Sequence, residues 1–166
     1  MQNNIRANKS FGQNFLLDEN LTDKIVKSAG NIEEKNILEI GPGPGGLTKS
    51  ILKQKPKKLI CIELDKRFYD MLKETFIDNK DIEIILGDAL NINPYNYFKE
   101  NFSIIANLPY NVATPLFFKW LEIREYIDNM TLMFQKEVVE RIIAKPKTKE
   151  YGRISVMAQC FCDVKK

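Results

Sequence analysis

The stretch "NILEIGPGPGGLTKSIL" at residues 36–52 leaves few folds open. An apolar strand, "NILEIG" (residues 36–41), runs into glycines, and a helical pattern through Leu47, Ile51 and Leu52 follows at once. Gly41, Gly43 and Gly46 stand in G-x-G-x-x-G spacing, which permits a sharp turn and lets a ligand lie against backbone amides at the positive helix end. Seen alone, the pattern is more simply a plain glycine turn.

The same alternation continues down the chain. "KLICIEL" (58–64) reads as a second strand, and "KRFYDMLKETF" (66–76) carries Phe68, Leu72 and Phe76 at helical spacing. "IEIILGD" (82–88), "FSIIANL" (102–108) and "MTLMFQ" (130–135) give the third to fifth strands, with "KEVVERIIA" (136–144) helical after them. Ahead of the first strand, "LLDENLTDKIVKSAG" (16–30) predicts a helix with Asp18 as N-cap, Leu21, Ile25 and Val26 on one face, and Gly30 at the stop. "YGRISVMAQCFCDVKK" (151–166) fits helix and strand alike. Strands alternating with helices imply an α/β fold: a doubly wound, mostly parallel sheet covered on both faces. The length of 166 residues suits one domain, 1–166.

Composition narrows the chemistry. No apolar run approaches the ~20 residues of a membrane span, and "MQNNIRANKSFGQNF" at the start lacks the apolar core of a signal peptide, so a cytoplasmic protein without a membrane partner is expected. Cys61, Cys160 and Cys162 form no disulfide framework and no C-x-x-C hook; buried, reduced thiols are the plainer reading. The chain has no histidine, which removes the commonest general base, the commonest zinc ligand and every Ser-His or Cys-His pair; no metal is expected. The net charge of +3 is unevenly spread, with "KQKPKK" (53–58), "KPKTK" (145–149) and Arg6 with Lys9. Such clusters can track a phosphate backbone, although each taken singly is more simply a solvated loop.

Three positions add to the glycine loop. Glu63 ends the second strand about 20 residues on, where a carboxylate can accept both hydroxyls of a ribose, so an adenosine-containing ligand is implied, NAD and S-adenosylmethionine alike. Asp88, in "GDAL" after the third strand, can accept from the exocyclic amine of adenine or simply terminate a strand in a turn. "NLPY" (107–110) follows the buried residues 104–106; Pro109 cannot donate to a ladder and biases Leu108 away from helix, so the fourth strand stops there. In a doubly wound sheet that corner opens on the same crevice as the glycines and Glu63, and a substrate there would meet Asn107 and Tyr110. For an arbitrary N-L-P-Y, a proline turn with Tyr110 packed on a neighbour is the plainer reading.

Together, "FGQNFLLD", "ILEIGPGPGGLT", "IELD", "GDAL", "NLPYNVATPL" and "MFQKEVVERIIAKPKTKEYGRISVMAQ" resemble the bacterial small-subunit (16S) ribosomal RNA adenine dimethyltransferases, from about Asn8 to the last residue. The resemblance implies a Rossmann-like fold, S-adenosylmethionine as methyl donor, and adenine N6 in small-subunit ribosomal RNA or a pre-30S particle as acceptor, with a monomeric enzyme acting in ribosome biogenesis. It also implies residue roles. Asn14 and Leu16 match positions that contact the donor, Gly41 with Gly43 the loop at its methionine part, Glu63 the ribose hydroxyls and Asp88 the adenine amine. Asn107 would lie between donor and target base, with the Leu108 carbonyl as a second acceptor for N6. Tyr110 matches the aromatic that stacks on the target adenine; Phe134 can help from the other side, though a core place in the fifth strand is the stronger reading for it. Relatives continue into further sheet strands and a small helical domain, so the chain reads as cut before them. The sister erythromycin-resistance methylases of large-subunit RNA share the glycine and adenine motifs, and a non-catalytic RNA-binding assembly factor or a nicotinamide-dependent oxidoreductase would share part of the pattern.

Overall fold

The computed structural model describes residue 16, residues 18–108 and residues 110–166. One compact unit ends at Met133 and a second comprises Phe134–Lys166.

In the first unit, helix α1 (Glu19–Ser28) starts where the sequence places a cap: the Asp18 carboxylate accepts from the backbone N–H groups of Asn20 and Leu21. Strand β1 (Asn36–Ile40), helix α2 (Gly46–Leu52), strand β2 (Lys58–Glu63), helix α3 (Lys66–Thr75) and strand β3 (Ile82–Leu86) follow. Then come a one-turn helix α4 (Tyr95–Phe98), strand β4 (Phe102–Asn107), helix α5 (Tyr110–Glu122), a 3-10 turn at Arg124–Tyr126 and strand β5 (Ile127–Met133). The five strands form one sheet in the order β3-β2-β1-β4-β5, and every neighbouring pair is parallel. Because β1 lies between β2 and β4, the winding reverses there, and a crevice opens beyond the carboxyl ends of the strands at such a reversal.

Both faces of the sheet are covered. Ile37, Leu59, Cys61, Ile84 and Ile105 share one core with Val26 of α1, Leu47 and Ile51 of α2 and Leu72 of α3. Their alternating neighbours Leu38, Ile60, Ile62 and Ile104 are equally buried, as a parallel sheet sandwiched between helices requires. Helix α1 is pinned on α2 by a buried hydroxyl pair, Thr22 with Ser50 at 2.8 Å, and by ion pairs from Lys53 to Glu19 and Asp23.

Helix α5 does not show in the sequence pattern. Its β-branched and aromatic residues are mediocre helix formers and Pro115 sits inside it, yet burial of Ala113, Leu116, Phe117, Trp120 and Leu121 outweighs local propensity. Strand β5 begins three residues before "MTLMFQ" and stops at Met133. Exposed Asp128 and Asn129 disguise its start, and Phe134, half-buried, follows the strand instead of serving as part of its core.

In the second unit, helices α6 (Lys136–Ile142) and α7 (Arg153–Phe161) pair. The ambiguous segment at 151–166 resolves as helix because α7 closes the exposed end of α6. The Ser155 hydroxyl donates to the Arg141 carbonyl, and the Gln159 amide donates to those of Ile142 and Ala144 at 2.9 and 2.8 Å. The thiols divide: Cys61 is buried, Cys162 half-buried and Cys160 exposed, since the α7 face bearing Ile154, Ser155 and Ala158 turns Cys160 outward. The expectation of three buried thiols therefore holds only for Cys61.

Candidate functional site

The reversal between β1 and β4 carries a crevice open to solvent at its mouth. Four strand ends feed it. The glycine loop after β1 gives Gly41 and Gly43, β2 ends in Glu63, the turn after β3 gives Asp88, and β4 ends in Asn107 followed by Leu108. Leu16 lines it ahead of α1, and α5 adds Asn111, Val112 and Leu116. The structure thus gathers Leu16, Gly41, Gly43, Glu63, Asp88, Asn107 and Leu108 around one cleft. Asn14 and the ring of Tyr110 lie outside the described parts of the chain; the Tyr110 backbone opens α5.

The glycine loop is shaped by its chemistry. Gly43, at φ +54°, aims its N–H at a Glu63 carboxylate oxygen, 2.9 Å away. The other Glu63 oxygen accepts from the Asp65 N–H at 2.8 Å, so the carboxylate ties two loops together. Glu63 is 4% exposed, and burial pushes its pKa up against the lowering effect of the backbone donors. Gly46 answers a close approach: a Cβ there would stand 2.3 Å from the Leu16 carbonyl oxygen.

Asp88 sits in a tight turn. One of its oxygens accepts from the Leu90 N–H at 2.9 Å and the other from the Asn91 amide at 3.2 Å, while the Asn91 N–H returns to the Asp88 carbonyl. The preceding Gly87 N–H donates to the Glu63 carbonyl, which sets the Asp88 turn beside the end of β2.

One residue of the crevice escaped the sequence reading. Glu39, central in β1 and 1% exposed, takes hydrogen bonds from the Thr48 hydroxyl at 2.7 Å and the Cys61 thiol at 3.4 Å. Burial raises it from 4.5 to about 7, with Glu63 adding to the rise. A carboxylate within an otherwise apolar strand was the available signal, because such a group is costly to bury without a purpose.

Among the described residues no group of His, Cys, Asp and Glu is suited to hold a metal ion, and no helix is long and apolar enough to cross a membrane. The lysines of "KQKPKK" are largely engaged: Lys53 with Glu19, Lys57 with Glu100 and Lys58 with Glu83, in line with a solvated, locally neutralised surface. "KPKTK" lies exposed in the second unit.

The family model described as Ribosomal RNA adenine dimethylase matches residues 4–166. The chain is 44% identical to the Ribosomal RNA small subunit methyltransferase A of Wolbachia sp. subsp. Drosophila simulans (strain wRi), covering 98% of this chain and 60% of that protein. It is 48% identical to the protein of the same name from Ruegeria pomeroyi, covering 93% of this chain and 57% of that one. Among solved structures, a dimethyladenosine transferase from Plasmodium falciparum superposes with a TM-score of 0.77 at 31% identity, over 88% of this chain and 52% of that chain. The 23S rRNA methyltransferase ErmE gives 0.71 at 27% identity, over 88% and 57%. The chain therefore spans about 60% of the length of the curated relatives it matches.

Proposed function

The chain belongs to the ribosomal RNA adenine dimethylase family, and on that premise we propose that it carries the donor site and reacting corner of a cytoplasmic, monomeric enzyme that transfers methyl groups from S-adenosylmethionine to adenine N6 in small-subunit ribosomal RNA, forming N6,N6-dimethyladenosine in ribosome biogenesis. The observation that carries this reading is the convergence of Gly43, Glu63, Asp88 and Asn107 from four strand ends on one crevice.

The residues suit the donor. A carboxylate offers about four acceptor positions, and the backbone N–H groups held by Glu63 do not use them all, which leaves acceptor capacity for the ribose. Asp88 likewise keeps acceptor capacity beyond its turn for the adenine amine. Gly41 and Gly43 present bare backbone where the methionine part would lie, and Leu16 borders the same space.

S-adenosylmethionine, when bound, supplies a methyl group already activated on a sulfonium. The chain's task is placement. Adenine N6 is a weak nucleophile because its lone pair is delocalised into the ring, and the Asn107 side-chain oxygen with the Leu108 carbonyl would accept its hydrogens and oppose that delocalisation. Near-attack placement contributes ~7–11 kcal/mol, against about 3–5 kcal/mol for an acid-base group, so a chain without histidine loses little. The short amide of Asn107 also suits a second round on a monomethylated amine. The target base must leave its stack to reach the corner, and Tyr110 is assigned to hold its face. Residues 134–166 carry eight Lys and Arg against four Asp and Glu, a balance that favours an RNA partner.

The erythromycin-resistance type of large-subunit methylase shares the fold; the relatives named for the small subunit and the "NLPYNVATP" corner favour the first reading. Incubating the chain with labelled S-adenosylmethionine and small-subunit or large-subunit RNA, then analysing nucleosides, tests it. Dimethyladenosine in the small-subunit RNA is expected, and label only in large-subunit RNA would overturn the assignment. An assembly factor without chemistry would instead keep its biological function as Asn107→Ala.

A further inference from the structure

Lys119 lies on α5 three residues beyond Leu116, on the stripe that also presents Val112 to the crevice. Its ammonium does not pair with a carboxylate among the described residues. It donates to three backbone carbonyls, Leu90 at 2.5 Å, Ile92 at 2.9 Å and Ala89 at 3.3 Å. All three belong to the loop that follows Asp88. Carbonyl dipoles converging on one point repel one another, so this loop shape is favourable only with a cation at the focus.

The loop is otherwise closed on the crevice side. Asp88 accepts from Leu90 and Asn91 within it, and the Ile92 side chain folds back so closely that a Cβ on Gly87 would stand 2.8 Å from its tip. The carboxylate of Asp88 thus takes its direction from a turn whose outer carbonyls are held by a side chain of α5. We propose that Lys119 is a positioning residue for the donor's adenosine end: it locks the 88–92 turn to α5 and thereby aims Asp88 at the adenine amine. The proposal rests on the reading of Asp88 given above.

A double-mutant cycle separates the two claims. S-adenosylmethionine is titrated calorimetrically into the wild-type chain, Lys119→Met, Asp88→Ala and the double variant; methionine keeps the length and apolar stem of lysine without the donor. The expected result is an affinity loss of about tenfold for Lys119→Met in the wild-type background, shrinking to less than about twofold when Asp88 is already alanine. Lys119→Gln, which keeps an N–H donor without the charge, falls between, and it replaces Lys119→Met in the cycle if that variant does not fold. A merely structural lysine would weaken binding by the same factor in both backgrounds, and that outcome, or an unchanged affinity for Lys119→Met, overturns the inference while Asp88 stands. An unchanged affinity for Asp88→Ala removes Asp88 from the site and the inference with it.

Discussion

The backbone N–H of Gly43 donates to the Glu63 carboxylate at 2.9 Å across 20 residues of sequence, fastening the glycine loop to the end of the neighbouring strand. Glu63 thus shapes the loop, and on the proposed reading it also holds the ribose. Glu63→Ala leaves the N–H groups of Gly43 and Asp65 without their acceptor and removes a charged acceptor from the ligand. The expected loss in S-adenosylmethionine binding is about 1.5–3 kcal/mol by calorimetry; an unaltered affinity would take Glu63 out of the site.

The corner after β4 should separate binding from chemistry. Asn107→Ala is expected to slow methyl transfer by about 10²-fold while changing donor affinity little, because misplacing the acceptor nitrogen costs on that order. Tyr110→Ala should likewise spare donor binding and slow transfer, with stacking worth roughly 1–3 kcal/mol. Transfer rates at wild-type level on the RNA substrate would contradict both roles.

Glu39 predicts a pH dependence of stability. Its pKa rises from 4.5 to about 7 in the fold, so between those values the native state holds a proton that the unfolded chain has released. The resulting stabilisation is fully present below pH 4.5 and is lost as pH rises through about 7, at most about 3 kcal/mol in all. Burial shifts Glu63 in the same direction, so the two carboxylates reinforce each other. In Glu39→Gln the slope of the urea midpoint against pH should flatten over this window; a slope equal to that of the wild type would show that Glu39 is not the titrating group.

Gly46→Ala tests the close approach of two segments. The added Cβ meets the Leu16 carbonyl oxygen at 2.3 Å, so one backbone must move. A destabilisation of roughly 1–3 kcal/mol is expected, as for other overpacked sites, with weaker donor binding because Leu16 borders the crevice. An unfolding midpoint and an affinity both at wild-type values would place the Leu16 segment elsewhere.

The sheet was largely legible because its strands contain short apolar runs separated by helical or turn segments, and the Asp18 cap because its chemistry is local. Helix α5 was not legible: its stability comes from burying Trp120, Phe117 and Leu116, a tertiary effect that overrides Pro115. In the crevice, Gly43, Glu63, Asp88 and Asn107 stand out since each lies at or just after a strand end in a recognisable short motif. Glu39 hides inside a strand, and Lys119 looks in sequence like any solvent lysine; its three carbonyl partners come from a loop 27–30 residues earlier.

A crevice built for S-adenosylmethionine should bind it in preference to other adenosine-containing ligands. The most direct test is calorimetric titration of the folded 166-residue chain with S-adenosylmethionine and, separately, with NAD. Saturable one-site binding of S-adenosylmethionine is expected, lost in the Glu63→Ala, Asp88→Ala double variant, with no heat from NAD. Binding of NAD, or no binding of S-adenosylmethionine by a chain with intact helical circular dichroism, would contradict it.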